Sequence, residues 1–269
     1  MRVREGAIGR YPCLIAGDGP PLIVLAGLSA DAGVAPGPMR RMHEQALRPW
    51  VSGRRVFYIN RRPGLPTPLS MPALAAEHAD ALREAFDTPV DVLGMSTGGS
   101  IAQQLAADHP TAVNRLALIS AACRLGHVGR AAQRRVAARI RGGAPRQALA
   151  VLAAEVVPPR RGRHLAAVAG WTFGPRLFGA DDLRDLATTI EAEDEFDLAM
   201  CPIVRSPTLL IAGGRDRFYE PELFEETARL IPSCRLCLHP ARGHVTVAAS
   251  PLAIAQALGF LGADVPDHT

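Results

Sequence analysis

Residues 92–100 read VLGMSTGGS. An apolar run stops at Gly94, Ser96 follows two residues later, and Gly98 and Gly99 come directly after Thr97. A serine in this place can cap the helix that begins there. It can also be a nucleophile held on a sharp strand-to-helix turn, in the G-x-S-x-G pattern. The spacing then has a physical reason. Side chains two residues either side of the serine would collide in so tight a turn, and glycine removes them. The hydroxyl stands clear, with the free N–H groups and positive end of a helix behind it. The five-letter pattern alone arises often by chance. The strand-like VDVL before it and the helical run after it supply the context the pattern requires, and Ser96 is taken as the nucleophile.

A serine nucleophile needs a base, and the base needs an orienting group. For a nucleophile on such a turn the chain order is serine, then acid, then histidine. PTLLIAGGRDRF places Asp216 in a glycine-rich loop after an apolar run, and PARGHVTVAAS places His244 in a loop before the last helix. Asp216 could instead cap a helix starting near Pro221 or pair with Arg215 or Arg217, and Asp194, Asp197 and Glu220 compete for its role. His244 could be an ordinary surface residue. The other histidines (43, 78, 109, 127, 164, 239 and 268) fall on expected helices, strands or tails and are read as structural. A developing oxyanion needs two preorganised N–H donors. One should be the N–H of Thr97. The other should be the N–H of Leu28, in LIVLAGLSADAG, where Gly27 permits the turn.

These residues need a scaffold, and the chain alternates in a way that provides one. Strands are expected at 22–26, 55–59, 90–93, 115–120, 207–212 and 235–238. Helices are expected at 38–50, 72–86, 99–108 and 249–261, the second with Pro72 in its first turn. Strand–helix–strand repetition with short links implies an α/β fold: a mostly parallel sheet with helices on both faces. Ligands bind at the carboxyl ends of such strands. The alternation stops between Cys123 and Phe196, where the sequence is Ala-rich and helical. The expected organisation is therefore a core from 1–122 and 199–269, divided by a helical lid at 123–198.

That insertion is charged unevenly. Residues 124–180 carry eleven Arg and one acid, Glu155; residues 181–197 carry eight acids and one Arg. Arg124, Arg130, Arg134, Arg135 and Arg139 could contact an anionic substrate, or form a solvated face paired with the acidic run. Trp171, Phe173 and Phe178, in WTFGPRLF, could line an acyl pocket beside Met95, or pin the insertion to the core.

Composition narrows the class. The 269 residues suffice for a large core. All 30 basic residues are Arg and the net charge is +4, with 13 aromatics and no basic–aromatic interleaving, so no nucleic-acid partner is expected. Five sparse cysteines fit a reducing compartment. Cys234 and Cys237 have C-x-x-C spacing but no partner pair, and read as thiols in a strand. The first residues lack the apolar stretch of a signal peptide, and no run approaches the ~20 apolar residues of a membrane span. A cytoplasmic protein with no membrane partner is expected.

Together these residues resemble the α/β-hydrolase superfamily, in particular its lid-bearing esterase, lactonase and peptidase-like members. The resemblance runs from LIVLAG to the terminal helix and rests on GMSTGG, AGGRDRF and RGH in that order, and on PGLPTPLSMPALAAEHADAL before the elbow. It implies a Ser96–His244–Asp216 triad acting through an acyl-enzyme on a small-molecule ester, lactone or thioester, with neither metal nor organic cofactor. Acyl transfer, cyclisation, C–C cleavage or a non-catalytic receptor role remain open on the same scaffold. One departure stands out. The family usually has His-Gly after the first buried strand, and here the pair is Ala26-Gly27.

Overall fold

Strands buried on both faces read as unbroken apolar runs, because each face meets its own layer of helices. The computed structural model describes residues 2–156 and 162–262. Its strands are β1 Val3–Ile8, β2 Tyr11–Ala16, β3 Pro21–Leu25, β4 Arg55–Ile59, β5 Val90–Met95, β6 Val113–Ile119, β7 Thr208–Gly213 and β8 Cys234–His239. They form one sheet in the order β1-β2-β4-β3-β5-β6-β7-β8. β2 runs antiparallel to β1 and β4, and the pairs from β4 to β8 are parallel.

Alternate residues divide between the faces. Leu116 and Leu118 of β6 and Leu210 and Ala212 of β7 pack on one side, with α2 (Met71–Ala85), α3 (Thr97–Asp108) and α8 (Pro221–Leu230). Ala117, Ile119, Leu209 and Ile211 pack on the other, with α1 (Gly37–Leu47), α9 (His244–Ala248) and α10 (Pro251–Gly262). The helix α2 begins where its sequence says it should: Ser70 Oγ accepts from the Ala73 N–H at 3.3 Å, with Pro72 in the first turn. Cys234 packs into the first layer and Cys237 into the second. Residues three apart on a strand face opposite ways, so the C-x-x-C thiols point to opposite sides of the sheet.

The hairpin β1–β2 was not expected from the sequence. Charged residues at 2, 4, 5 and 10 obscure its alternation, as suits an edge strand. Gly9, at φ +51°, makes the turn. Tyr11 then stacks on His78 of α2, ring centroids 4.0 Å apart, and burial holds the His78 imidazole down at about 4. An unfolded histidine titrates near 6.5. Between those values the unfolded chain binds more protons, so stability falls as pH falls, by about 2 kcal/mol from pH 7 to pH 5. His78→Phe should flatten that slope. Urea midpoints at the two pH values test it, and equal slopes in both proteins would refute the assignment.

Between β6 and β7 the chain inserts α4 (His127–Arg141), α5 (Pro145–Val156), α6 (Gly162–Leu177) and α7 (Ala180–Asp194). These helices bury apolar side chains of their own, among them Val136, Leu149, Leu186 and Ile190. The two ends of the insertion meet, the Leu198 N–H donating to the Cys123 carbonyl at 2.8 Å. Several of its arginines are paired: Arg134 with Asp194 at 2.8 Å, Arg141 with Glu191 at 2.6 Å, and Arg124 with Glu226 at 2.7 Å. Arg130 also faces Asp194, Arg135 faces Glu155, and Arg139 bonds Gln147. This is the arrangement of a solvated, paired face, whose exposed pairs add little to stability.

Candidate active site

The turn at residues 94–99 is built by steric exclusion. A Cβ on Gly94 would lie 2.6 Å from Gly99 Cα, and one on Gly98 would lie 2.2 Å from the Leu25 carbonyl oxygen. Only glycine lets α3 start this close to β5 and β3. The residue between them is driven to φ 50°, ψ −123°, a region essentially reserved for glycine. That residue is Ser96, and its hydroxyl makes no capping bond to α3. It donates instead to His244 Nε2 at 3.0 Å.

His244 opens α9 and reaches Ser96 from the loop after β8. Its Nδ1–H donates to Asp216 Oδ2 at 2.8 Å, which leaves Nε2 as the acceptor facing the serine. The Asp216 side chain is fully buried. Its other oxygen, Oδ1, accepts from the Phe218 N–H at 2.8 Å and the Tyr219 N–H at 3.3 Å, so the carboxylate cannot rotate freely. The acid loop and the histidine loop lie backbone against backbone: Arg215 N–H donates to the Arg242 carbonyl at 2.8 Å. A Cβ on Gly213 would sit 2.6 Å from that same carbonyl, which explains the paired glycines before Asp216. The competing acids are engaged elsewhere. Asp194 holds Arg130 and Arg134, Asp197 caps a short 3-10 turn at 198–200, and Glu220 precedes α8 and accepts from the His127 N–H.

The loop after β3 passes close to the serine. A Cβ on Gly27 would be 3.4 Å from Ser96 Cβ, and Gly27 and Leu28 line the same cavity as Ser96 and His244. Thr97 is the first residue of α3, whose leading N–H groups have no partner within the helix. Ala26 leaves the loop without a histidine, and Asn60, at the end of β4, does the bracing. Its Nδ2 donates to the Asp31 carbonyl at 2.8 Å and to Ser29 Oγ at 3.1 Å.

The cavity has a volume of about 270 Å³. Its walls are mostly apolar: Leu28, Met95, Val136 of α4, Leu152 of α5, Phe218 and Val245. Met95, expected as a pocket residue, is part of this lining. Trp171, Phe173 and Phe178 do not line this cavity, which corrects that reading. The reason is the packing of α6. Gly170 and Gly174 lie against α5, a Cβ on Gly170 being 2.4 Å from the Leu149 carbonyl, so α6 lies against α5 and supplies no residue to the cavity. Trp171 is 49% exposed beneath the Arg146 guanidinium, Phe173 is 56% exposed, and Phe178 packs into the insertion's own core.

Besides Asn60, three contributors around His244 were not read from the sequence. Phe218 and Tyr219 flank the His244 ring, with centroids 4.7 and 5.8 Å away. Ser120, at the end of β6, takes φ 52° and donates its hydroxyl to the His244 carbonyl at 2.8 Å. The aromatics directly after the acid, in DRFY, were a usable signal. The serine left no trace beyond its place at a strand end.

The family model described as "Serine aminopeptidase, S33" matches residues 74–247, a span that holds Ser96, Asp216 and His244. The chain belongs to this family of α/β-hydrolases. Among its relatives is a pimeloyl-[acyl-carrier protein] methyl ester esterase of Neisseria meningitidis, 28% identical over 192 residues, 66% of this chain and 58% of that protein. This S33 hydrolase thus spans less than two thirds of that relative's length. The fold also matches the enol-lactonase from Burkholderia xenovorans, with a TM-score of 0.70 at 21% identity, covering 97% of this chain and 100% of that one. A homoserine O-acetyltransferase from Staphylococcus aureus matches with a TM-score of 0.70 at 12% identity, covering 95% of this chain and 89% of that one. At such identities the likeness concerns the fold alone, and a shared fold does not choose a substrate. Among the described residues, no helix of this S33 hydrolase is long and apolar enough to cross a membrane.

Proposed function

We propose that this S33 hydrolase cleaves a carboxylic ester, lactone or thioester of a small molecule through a Ser96–His244–Asp216 triad. The observation that carries this is the hydrogen-bonded chain from Asp216 through His244 to a strained Ser96 at the floor of an apolar cavity. The methyl ester esterase among its relatives supports the substrate class.

In the mechanism, Ser96 Oγ attacks the carbonyl carbon while its proton passes to His244 Nε2. Asp216 holds the ring and stabilises the imidazolium. The carbonyl oxygen becomes an oxyanion and accepts from the Thr97 and Leu28 N–H groups. The bond to the leaving alkoxide or thiolate breaks as His244 returns the proton to it. A water then gives its proton to His244 and attacks the acyl group. The acid departs and Ser96 recovers its proton. The helices α4–α7 act as the lid, since α4 and α5 supply one wall of the cavity. Five free thiols suit a reducing, cytoplasmic compartment.

The test is labelling by a fluorophosphonate, with the adduct located by mass spectrometry, followed by a p-nitrophenyl ester series. The adduct should sit on Ser96 and vanish in Ser96→Ala. Acetate and butyrate should be turned over faster than laurate, because the cavity is small. Product analysis with added alcohol distinguishes hydrolysis from transfer. A folded protein that neither labels nor turns over esters, lactones or thioesters would overturn the proposal in favour of a receptor.

A further inference from the structure

Glu193, near the end of α7, has no exposed surface. Its Oε2 accepts from Thr97 Oγ1 at 2.7 Å and from Gln133 Nε2 at 3.0 Å, and its Oε1 accepts from Ser100 Oγ at 2.9 Å. All three donors are neutral. Arg130 and Arg134 pair instead with its neighbour Asp194, which faces outward. Burying a carboxylate that bonds only neutral donors is expensive unless its lone pairs are well satisfied. Here they are satisfied by two elements that matter to the site. Thr97 and Ser100 form the first turns of α3, directly behind Ser96, and Gln133 belongs to α4 and lines the cavity.

We propose that Glu193 is a positioning residue that locks the lid helices onto the nucleophile turn and fixes the Thr97 N–H as an oxyanion donor. The Thr97 side chain is turned to Glu193 and takes no part in the cavity wall, so its rotamer is set by the carboxylate. A shift of α7 then reaches Thr97 through one hydrogen bond, and a shift of α4 through two. An oxyanion donor works only when it is already in place, and displacement by about 1 Å can lower the rate ~100-fold. The sequence hid this role: Glu193 lies in EAEDEFD, among acids that look alike.

This inference rests on the hydrolase proposal, so the wild type must first turn over a p-nitrophenyl ester; if it does not, that proposal fails and not this one. Given activity, kcat and KM are compared in Glu193→Ala, Glu193→Gln, Thr97→Val and Asp194→Asn. Glu193→Ala and Thr97→Val should lower kcat by roughly 10- to 100-fold with KM within about threefold, since the interaction acts on the transition state. Affinity for an alkylboronic acid, which forms a tetrahedral adduct, should fall in parallel. Glutamine can still accept from Thr97 and Gln133 through one oxygen, with the Ser100 hydroxyl turned to accept from its amide. Glu193→Gln should therefore recover most of kcat, and Asp194→Asn should behave as wild type. If Glu193→Ala does not fold, Thr97→Val decides. Wild-type kcat in Thr97→Val, or a change confined to KM, would overturn the inference.

Discussion

Ser96→Gly will raise the melting temperature while removing turnover. The native φ 50°, ψ −123° at Ser96 strains any residue with a Cβ, by roughly 1–3 kcal/mol. Glycine removes that strain, while its freer unfolded chain returns about 0.5–1 kcal/mol. The net gain of about 1 kcal/mol corresponds to ~2–4 °C in a chain of this length. Ser96→Ala keeps the Cβ and the strain, so its melting temperature should stay near that of wild type. Both variants should lose about 10⁴-fold or more in kcat, because the residual rate rests on binding and oxyanion donors alone. Calorimetry of the three proteins decides it. A glycine variant no more stable than the alanine variant would mean that the backbone at Ser96 stores no strain.

The second large effect is Gly98→Ala. The added Cβ would lie 2.2 Å from the Leu25 carbonyl oxygen and 2.5 Å from that of Ala26. Both are backbone atoms at the end of β3, so no side chain can swing aside. Relief requires either α3 or the loop carrying Leu28 to move. Overpacking of a tight core costs about 1–3 kcal/mol and more where only backbone can yield. A loss of at least ~3 kcal/mol, or roughly 6–12 °C, is expected. Activity should fall further than stability explains, because the displaced loop holds Leu28, the second oxyanion donor of the proposed mechanism. Gly259→Ala is the control. It lies inside α10 and its added Cβ meets nothing within 4 Å, so a gain of about 0.5–1 kcal/mol from helix propensity is expected. A folded, active Gly98→Ala protein would show that β3 and α3 are not fixed as described.

The contrast between these glycines shows why the nucleophile turn was legible. It needs backbone shapes that few residues allow, so Gly94 and Gly98 are written into the chain, as Gly213 is where the Asp216 loop meets the His244 loop. The parallel strands were legible for a related reason: two covered faces demand unbroken apolar runs, as in PTLLIA. The hairpin β1–β2 was hidden because an edge strand has one exposed side and carries charge there. The cavity wall was hidden because helix rotation sets it. Trp171 and Phe173 look like pocket residues by type, yet two glycines turn that helix onto α5. Buried hydrogen bonding was least visible. Glu193, Asn60 and Ser120 owe their roles to partners 29 to 124 residues away, at separations no local pattern records.

The bond between the Leu198 N–H and the Cys123 carbonyl joins the two ends of the helical insertion. Seen from the sheet, four helices leave and return at a single point. A descendant could lengthen, shorten or exchange that whole segment and β6 and β7 would still pair, because the closure is local. Substrate choice in such a molecule can evolve as a replaceable part, while the catalytic framework stays under separate selection. The one condition passed to any replacement is an acceptor where Glu193 now meets Thr97 and Ser100.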